Sequence, residues 1–142
     1  MKKRYLIDAN IIFSILISGK DIYLDIFNKN SFYVPDFALF ELQKYQIMLL
    51  EKSKLSHEKL KTYTLSLFGY LTVVPNLLIS TRSYLQAFQL CKDIDEDDTS
   101  YIAFAQELEL TLLSKDDILI DGLRKKGYTN VISLHEFLRE YL

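Results

Sequence analysis

The sequence predicts a three-layer α/β/α fold around a mostly parallel central sheet of about five strands. Short apolar runs alternate with amphipathic helical stretches along the whole chain, a pattern that favours parallel strands with helices on both faces. The 142 residues, 49% hydrophobic and 25% charged, are typical of one globular domain. No internal repeat, low-complexity segment or linker divides the chain, so we expect residues 1–142 to form a single domain.

The strands are predicted from apolar or β-favouring runs that end at prolines, polar residues or acids. They are residues 5–7, 31–34, 71–75, 110–114 and 130–132. Helices are predicted from apolar residues at helical spacing. They are residues 11–17, 21–27, 37–50, 57–69, 81–90, 101–105, 119–126 and 134–142.

Composition narrows the class of protein further. The single cysteine, Cys91, excludes an intramolecular disulfide and favours a cytoplasmic location. We expect no signal peptide and no membrane span, because no apolar run is long enough to cross a bilayer. The net charge of −2 argues against a protein that merely coats nucleic acid. If four of the 19 acidic residues form a metal site, however, the 17 basic residues outnumber the 15 that remain.

Asp8 is the residue around which the chain is organised. It follows the first predicted strand directly, and the carboxyl ends of strands are where open α/β sheets bind ligands. A hard cation or a polar substrate would fit there. Alternatively, Asp8 caps the helix that follows, with Asn10 in the turn. Taken alone, the residues around Asp8 leave both interpretations open.

Three more acids occupy positions where a site is expected. Asp116 follows the fourth strand, and Glu41 lies on an otherwise apolar helix. Asp98 begins a helix in which Ile102 and Ala105 follow at helical spacing, which places it on the packed side. Clustered carboxylates repel one another unless a cation neutralises them, and Mg²⁺ and Mn²⁺ prefer oxygen ligands. The sequence therefore predicts a divalent-metal site.

Four short motifs, in order along nearly the whole chain, resemble a known family. Residues 6–11 (Leu-Ile-Asp-Ala-Asn-Ile), then Val34-Pro35 with Glu41 a few residues later, are similar to the opening of a PIN domain. Residues 98–105 and 113–116 are similar to its second half. The resemblance implies a metal-dependent ribonuclease of the kind found in VapC-type toxins and related RNA-processing enzymes.

The resemblance also implies roles for individual residues. The acids around Mg²⁺ or Mn²⁺ would be Asp8, Glu41, Asp98 and Asp116. The three aspartates would hold one or two ions, and Glu41 would bind metal or orient the attacking water. Asn10 and Ser114 would support them through hydrogen bonds. Asp95 falls where some members carry an additional acid, although its position also suits a solvated acidic loop. Lys115 departs from the family, which often has a small residue there.

Other functions compete with an RNA hydrolase. One is a PIN-like nucleic-acid or protein binding module that has lost catalysis, against which the complete acidic set argues. Another is phosphotransfer, but a dehalogenase-like phosphatase wants Asp-x-Asp after the first strand, and Asn10 occupies the second place. A receiver domain fits no better. Stand-alone PIN domains of this length often pair with a small antitoxin protein and commonly form homodimers, so both partners are expectations of the resemblance.

Overall fold

The computed structural model describes residues 2–141, which contain one five-stranded sheet. The strands are β1 (Arg4–Ile7), β2 (Ser31–Pro35), β3 (Leu71–Val74), β4 (Thr111–Ser114) and β5 (Val131–Ser133). Their spatial order is β3-β2-β1-β4-β5, and every neighbouring pair is parallel. The predicted parallel α/β sheet is confirmed.

The same described residues contain nine α-helices, of which the first eight lie between strands and the ninth follows β5. They are α1 (Ala9–Ser18), α2 (Asp21–Lys29), α3 (Phe37–Lys44), α4 (Gln46–Lys52), α5 (His57–Phe68), α6 (Thr81–Cys91), α7 (Thr99–Leu108), α8 (Asp117–Lys125) and α9 (Leu134–Leu138). The helices flank the sheet, which gives the predicted three layers. Across residues 2–141, every helix is too short or too polar to serve as a membrane span.

Two helix predictions need correction. The amphipathic stretch 37–50 forms two helices, because the backbone leaves the helical region at Tyr45 (φ −107°, ψ 19°) and its N–H bonds back to the Leu42 carbonyl. Both α3 and α4 pack on α1, so the break lets the chain bend around that helix. The last helix ends at Leu138 rather than continuing to residue 142, which lies outside the described residues.

The core lies on both faces of the sheet. Phe32 of β2 stacks on Phe27 of α2, with ring centroids 3.9 Å apart, and contacts Tyr5 and Phe137. On the other face of the sheet, Phe104 of α7 is fully buried. Strands covered on both faces must be apolar throughout, which is why the runs in β1 and β4 are continuous rather than alternating.

The strand order brings together two segments that are distant in sequence. β1 lies directly beside β4, with Ile7 opposite Leu113. Because the two strands are parallel, the residues that follow them leave the sheet at the same edge. Asp8 and Asp116 both follow these strands, so the topology places them on one side of the molecule.

Candidate metal centre

Asp8 and Asp116 each cap the helix that follows their strand. Asp8 Oδ1 accepts a hydrogen bond from the Ile11 N–H at 2.9 Å, and Asp116 Oδ1 accepts one from the Leu119 N–H at 3.1 Å. Each of these bonds uses one carboxylate oxygen and leaves the second available for a ligand. The two interpretations of Asp8, helix cap or ligand site, are therefore compatible, and the cap is present.

Ser114 supports the loop that carries Asp116. Its side chain is buried, and its Oγ accepts a hydrogen bond from the Asp116 N–H at 3.0 Å. This contact fixes the backbone where β4 ends and α8 begins. The geometry agrees with a supporting hydrogen bond from Ser114, while its functional role stays a prediction.

Three carboxylates converge beside the end of β4. Asp95, Asp98 and Asp116 each offer an oxygen, and these oxygens lie within 4.8 Å of one another; we call these three residues the acidic cluster. Asp95 opens a 3-10 turn, Glu96–Asp98, and its Oδ1 accepts a hydrogen bond from the Asp97 N–H at 3.0 Å. Asp98 ends that turn and immediately precedes α7.

The loop that carries Asp95 is held against α8. Ile94 packs where Gly122 lacks a side chain: a Cβ at Gly122 would lie only 2.6 Å from Ile94 Cδ1. The Lys126 ammonium pairs with Asp93 and donates a hydrogen bond to the Leu90 carbonyl at 2.8 Å. Both contacts fix the position of the loop relative to α8 and hence relative to Asp116.

Asp98 is the most perturbed acid of the cluster. Its pKa is raised to about 7, first by burial and then by the negative charges of Asp95, Asp116 and Asp8. Its Oδ2 is buried and has no hydrogen-bond partner among residues 2–141. A buried carboxylate oxygen without a donor is costly, so this position fits a cation that the acidic cluster would coordinate.

Asp8 lies in a related environment on the β1 side. Its pKa is raised to about 6, first by burial and then by the negative charge of Glu41, while the backbone N–H of Ile11 lowers it. The carboxylate is thus partly stabilised by the protein itself. It also lies near enough to Asp98 to raise the pKa of that group, which links it to the acidic cluster.

Tyr101 holds Glu41 beside Asp8. The Tyr101 hydroxyl donates a hydrogen bond to Glu41 Oε2 at 3.3 Å and accepts one from the Ala9 N–H, also at 3.3 Å. Its ring packs against Phe37, with centroids 4.9 Å apart. Sequence analysis treated Tyr101 only as part of an apolar helix, and no local pattern indicates that its hydroxyl reaches across to α3.

Asn10 lies two positions after Asp8 at the start of α1, and its supporting role stays a prediction. Its backbone N–H lowers the pKa of Asp8, but its side chain is exposed and makes no hydrogen bond with any residue that the structure describes. The side chain instead lines a cavity of about 160 Å³, together with Ala9, Phe13, Glu41, Leu42, Tyr45 and Met48. A larger surface cavity, about 660 Å³, is lined by residues of α2 and α5 and contains none of the predicted site acids.

The donor set therefore fits a hard divalent ion. Carboxylate oxygens are the ligands that Mg²⁺ and Mn²⁺ prefer, and the acidic cluster supplies three carboxylates together with the buried, unpaired oxygen of Asp98. The fold and the site together indicate the class of protein. It is a parallel α/β domain in which carboxylates at the carboxyl ends of the strands can bind such a cation.

Comparison with known proteins identifies the family. The model of the PIN domain matches residues 6–135, and the chain belongs to the PIN domain family. The crystal structure of PAE2754 from Pyrobaculum aerophilum has a similar fold: the TM-score is 0.66 at 13% sequence identity, over 99% of this chain and 96% of that chain. No curated protein matches the sequence significantly. PIN domains are generally nucleases and usually bind divalent metals.

Proposed function

We propose that the chain is a metal-dependent endoribonuclease that hydrolyses RNA phosphodiester bonds, and that residues 1–142 act as this single domain. The acidic cluster is the observation that carries the proposal. Three carboxylates within reach of one another, one with a buried and unpaired oxygen, destabilise the fold unless a cation binds. Nucleases of this kind use such a cation to activate the water that attacks the phosphodiester bond.

Asp8, Asp98 and Asp116 would hold Mg²⁺ or Mn²⁺, and Asp95 would supply an additional ligand. When bound, the ion lowers the pKa of water and offsets charge on the scissile phosphate. Asp95 enters the proposal on geometry, since its carboxylate oxygen lies within 4.8 Å of those of Asp98 and Asp116.

Glu41 would orient the attacking water and accept its proton. The Tyr101 hydroxyl binds Glu41 Oε2, which fixes the carboxylate and leaves Oε1 to face the water. The water oxygen bonds to phosphorus, the bond from phosphorus to the 3′ oxygen breaks, and the departing oxygen takes a proton from solvent. We propose no side-chain nucleophile, so no covalent intermediate forms.

An inactive binding module is the alternative function. Such a module would gain nothing from neighbouring carboxylates whose charges raise the pKa of Asp98, since neutral side chains at the same positions would make the fold more stable. The presence of these acids at one site, despite their cost in stability, favours catalysis over binding alone.

A toxin role in the cytoplasm, with an antitoxin protein and a homodimer as partners, completes the proposal. Large apolar side chains are exposed just beyond edge strand β3: Leu77 is 91% exposed and Leu78 is 58% exposed. Exposed apolar surface of this kind is typical of protein contacts. Induced expression should arrest growth for the wild type but not for Asp98→Asn, and light scattering of the purified chain should report the dimer.

Cleavage of a mixed RNA pool by the purified protein tests the activity. We expect cleavage with Mg²⁺ or Mn²⁺, none with EDTA, and none in the Asp8→Asn and Asp98→Asn variants. Calorimetric titration with Mn²⁺ provides a readout that needs no substrate. Cleavage that survives both substitutions would reject this site, and wild-type protein that binds no metal would favour the inactive module.

A further inference from the structure

The cavity that Asn10 lines opens directly beside Glu41. It lies between the first turns of α1 and the junction of α3 with α4, and its volume is about 160 Å³. We call it the side cavity. Its volume suits one small planar group rather than a whole helix or peptide. It is separate from the acidic cluster, because Asp95, Asp98 and Asp116 do not line it.

Two aromatic rings form the apolar wall of the side cavity. Phe13 and Tyr45 meet edge to face, with centroids 6.2 Å apart and an angle of 77° between the rings. Tyr45 occupies the break between α3 and α4 and is 51% exposed. Since Tyr45 lines the cavity and about half of its surface is exposed, its ring is accessible to a planar group.

The opposite wall is polar. The Asn10 side chain offers both a donor and an acceptor, and it makes no hydrogen bond with any residue in the range 2–141. Glu41, whose Oε2 accepts from Tyr101, completes this wall. A planar group in the cavity would thus have an aromatic face on one side and an unpaired amide at its edge.

We propose that the side cavity binds one nucleobase of a single-stranded RNA substrate, immediately beside the scissile phosphate, with Tyr45 stacking on the base and Asn10 reading its edge. The inference rests on the proposed ribonuclease function and assigns the recognition of one base to the side cavity. Single-stranded RNA is recognised in this way: unstacked bases lie on aromatic side chains and are read by hydrogen bonds.

The polar wall favours a base over an apolar segment of a protein. An apolar side chain in the cavity would cover the Asn10 amide and Glu41 Oε1 without offering either a hydrogen bond, which is costly. A base satisfies the amide and still offers its ring to Tyr45. The fully apolar surface nearby, Phe40 at 74% and Ile47 at 72% exposure, does not line the cavity and is where a protein partner would bind instead.

Fluorescence with a labelled RNA tests the assignment. The probe is a 12-nucleotide single-stranded RNA of mixed sequence that carries fluorescein and, in a second version, 2-aminopurine; Asp98→Asn prevents its cleavage. In that background Tyr45→Ala should raise the Kd roughly 5- to 150-fold, the range expected for one lost stack, and abolish the quenching of 2-aminopurine. Tyr45→Phe retains a ring and should restore both. The control is Tyr70→Ala, at another exposed tyrosine.

Mapping of the cut sites in otherwise wild-type protein gives a second readout. Asn10→Ala should weaken the base preference next to the cut while circular dichroism shows an unchanged fold. If Tyr45→Ala and Asn10→Ala keep the wild-type Kd, quenching and base preference, the assignment of the side cavity is rejected. The proposed ribonuclease function is not affected by that result. A parent protein that neither binds nor cuts RNA would reject the ribonuclease as well. Unchanged RNA affinity with loss of a dimer in Tyr45→Ala and Ile47→Ala would assign the surface to protein contact instead.

Discussion

The carboxylates at the ends of β1 and β4, on the two sides of the site, have different surroundings. On the β1 side, Asp8 accepts a backbone N–H and Glu41 accepts the Tyr101 hydroxyl. On the β4 side, Asp98 accepts no hydrogen bond that the described residues provide, and its nearest charged neighbours are other acids. The first side is held by hydrogen bonds within the protein, whereas the second has converging carboxylates that fit a cation.

This difference indicates two separate roles within one site, orienting water and binding a cation. Hydrogen bonds hold a carboxylate in a fixed geometry, which suits a group that must orient water. The carboxylates of the acidic cluster repel one another, and a bound cation would relieve this electrostatic repulsion. We therefore expect substitutions on the β4 side to change metal binding, and substitutions around Tyr101 to change the rate with metal still bound.

The largest expected effect comes from Asp98→Asn. Removing this ligand should lower RNA cleavage at least about 100-fold, more than the 10- to 100-fold loss typical of residues that only support a ligand. Calorimetry should show weakened Mn²⁺ binding, and circular dichroism should show an intact fold. The matched control is Asp97→Asn, at an exposed acid one position earlier in the same turn. Equal losses in both variants would show that net charge matters rather than ligation by Asp98.

The pH dependence of stability is the next effect. The pKa of Asp98 rises from 3.8 to about 7 on folding, so the folded protein holds the proton more tightly. This contribution is complete below pH 3.8 and is lost as the pH rises towards 7. In EDTA we therefore expect the metal-free protein to unfold at a lower temperature at pH 8 than at pH 5. The loss is about 1–2 kcal/mol once solvent screening of this partly exposed group is allowed for.

Metal should reverse that trend, because a cation binds the deprotonated carboxylates. Mn²⁺ should raise the unfolding temperature more at pH 8 than at pH 5. Asp98→Asn should stabilise the metal-free protein at pH 8 and reduce both dependences. A metal-free stability that is flat between pH 5 and pH 8 would contradict the view that the acidic cluster is repulsive without a cation.

A smaller effect is expected on the β1 side, from Tyr101→Phe. The substitution removes the hydrogen bond to Glu41 and leaves the Ala9 N–H without its partner, at a cost of about 1–2 kcal/mol in stability. We expect kcat to fall roughly 10-fold with KM and Mn²⁺ affinity unchanged. Tyr63→Phe is the control, since that hydroxyl donates to the Lys20 carbonyl at 2.7 Å, away from the site acids. A similar fall in kcat there would indicate a general stability effect.

Much of the fold followed from local patterns. Strands buried on both faces are continuous apolar runs, and the acids that end β1 and β4 stand out against them. The break at Tyr45 did not follow, because residues 37–50 are periodic enough for one helix and only packing on α1 requires two. Strand order also depends on packing, and the local patterns of the sequence do not determine it.

The site was harder to predict where it depends on contacts between distant residues. Asp95 lies in a run of acids that suits a solvated loop, and it reaches Asp116 only because the contacts of Ile94 and Lys126 hold that loop against α8. Tyr101 reaches Glu41 across 60 positions of sequence. The four acids implied by the resemblance await the substitutions above, since geometry places them near one another without testing their roles.

Lys115 connects the two sides, and its substitution should have the smallest effect. Its ammonium donates a hydrogen bond to Ser14 Oγ on α1 at 2.7 Å, from the loop between β4 and Asp116. Lys115→Gln should reduce the salt dependence of RNA binding by about one unit of slope if the ammonium meets a phosphate. Stability should change by less than about 0.5 kcal/mol. Ser14→Ala distinguishes the explanations: it breaks the same contact but keeps the charge, so the slope should stay as in the wild type. Equal changes in both variants would mean that Lys115 only ties the β4 loop to α1, and that the two sides are coupled through this contact.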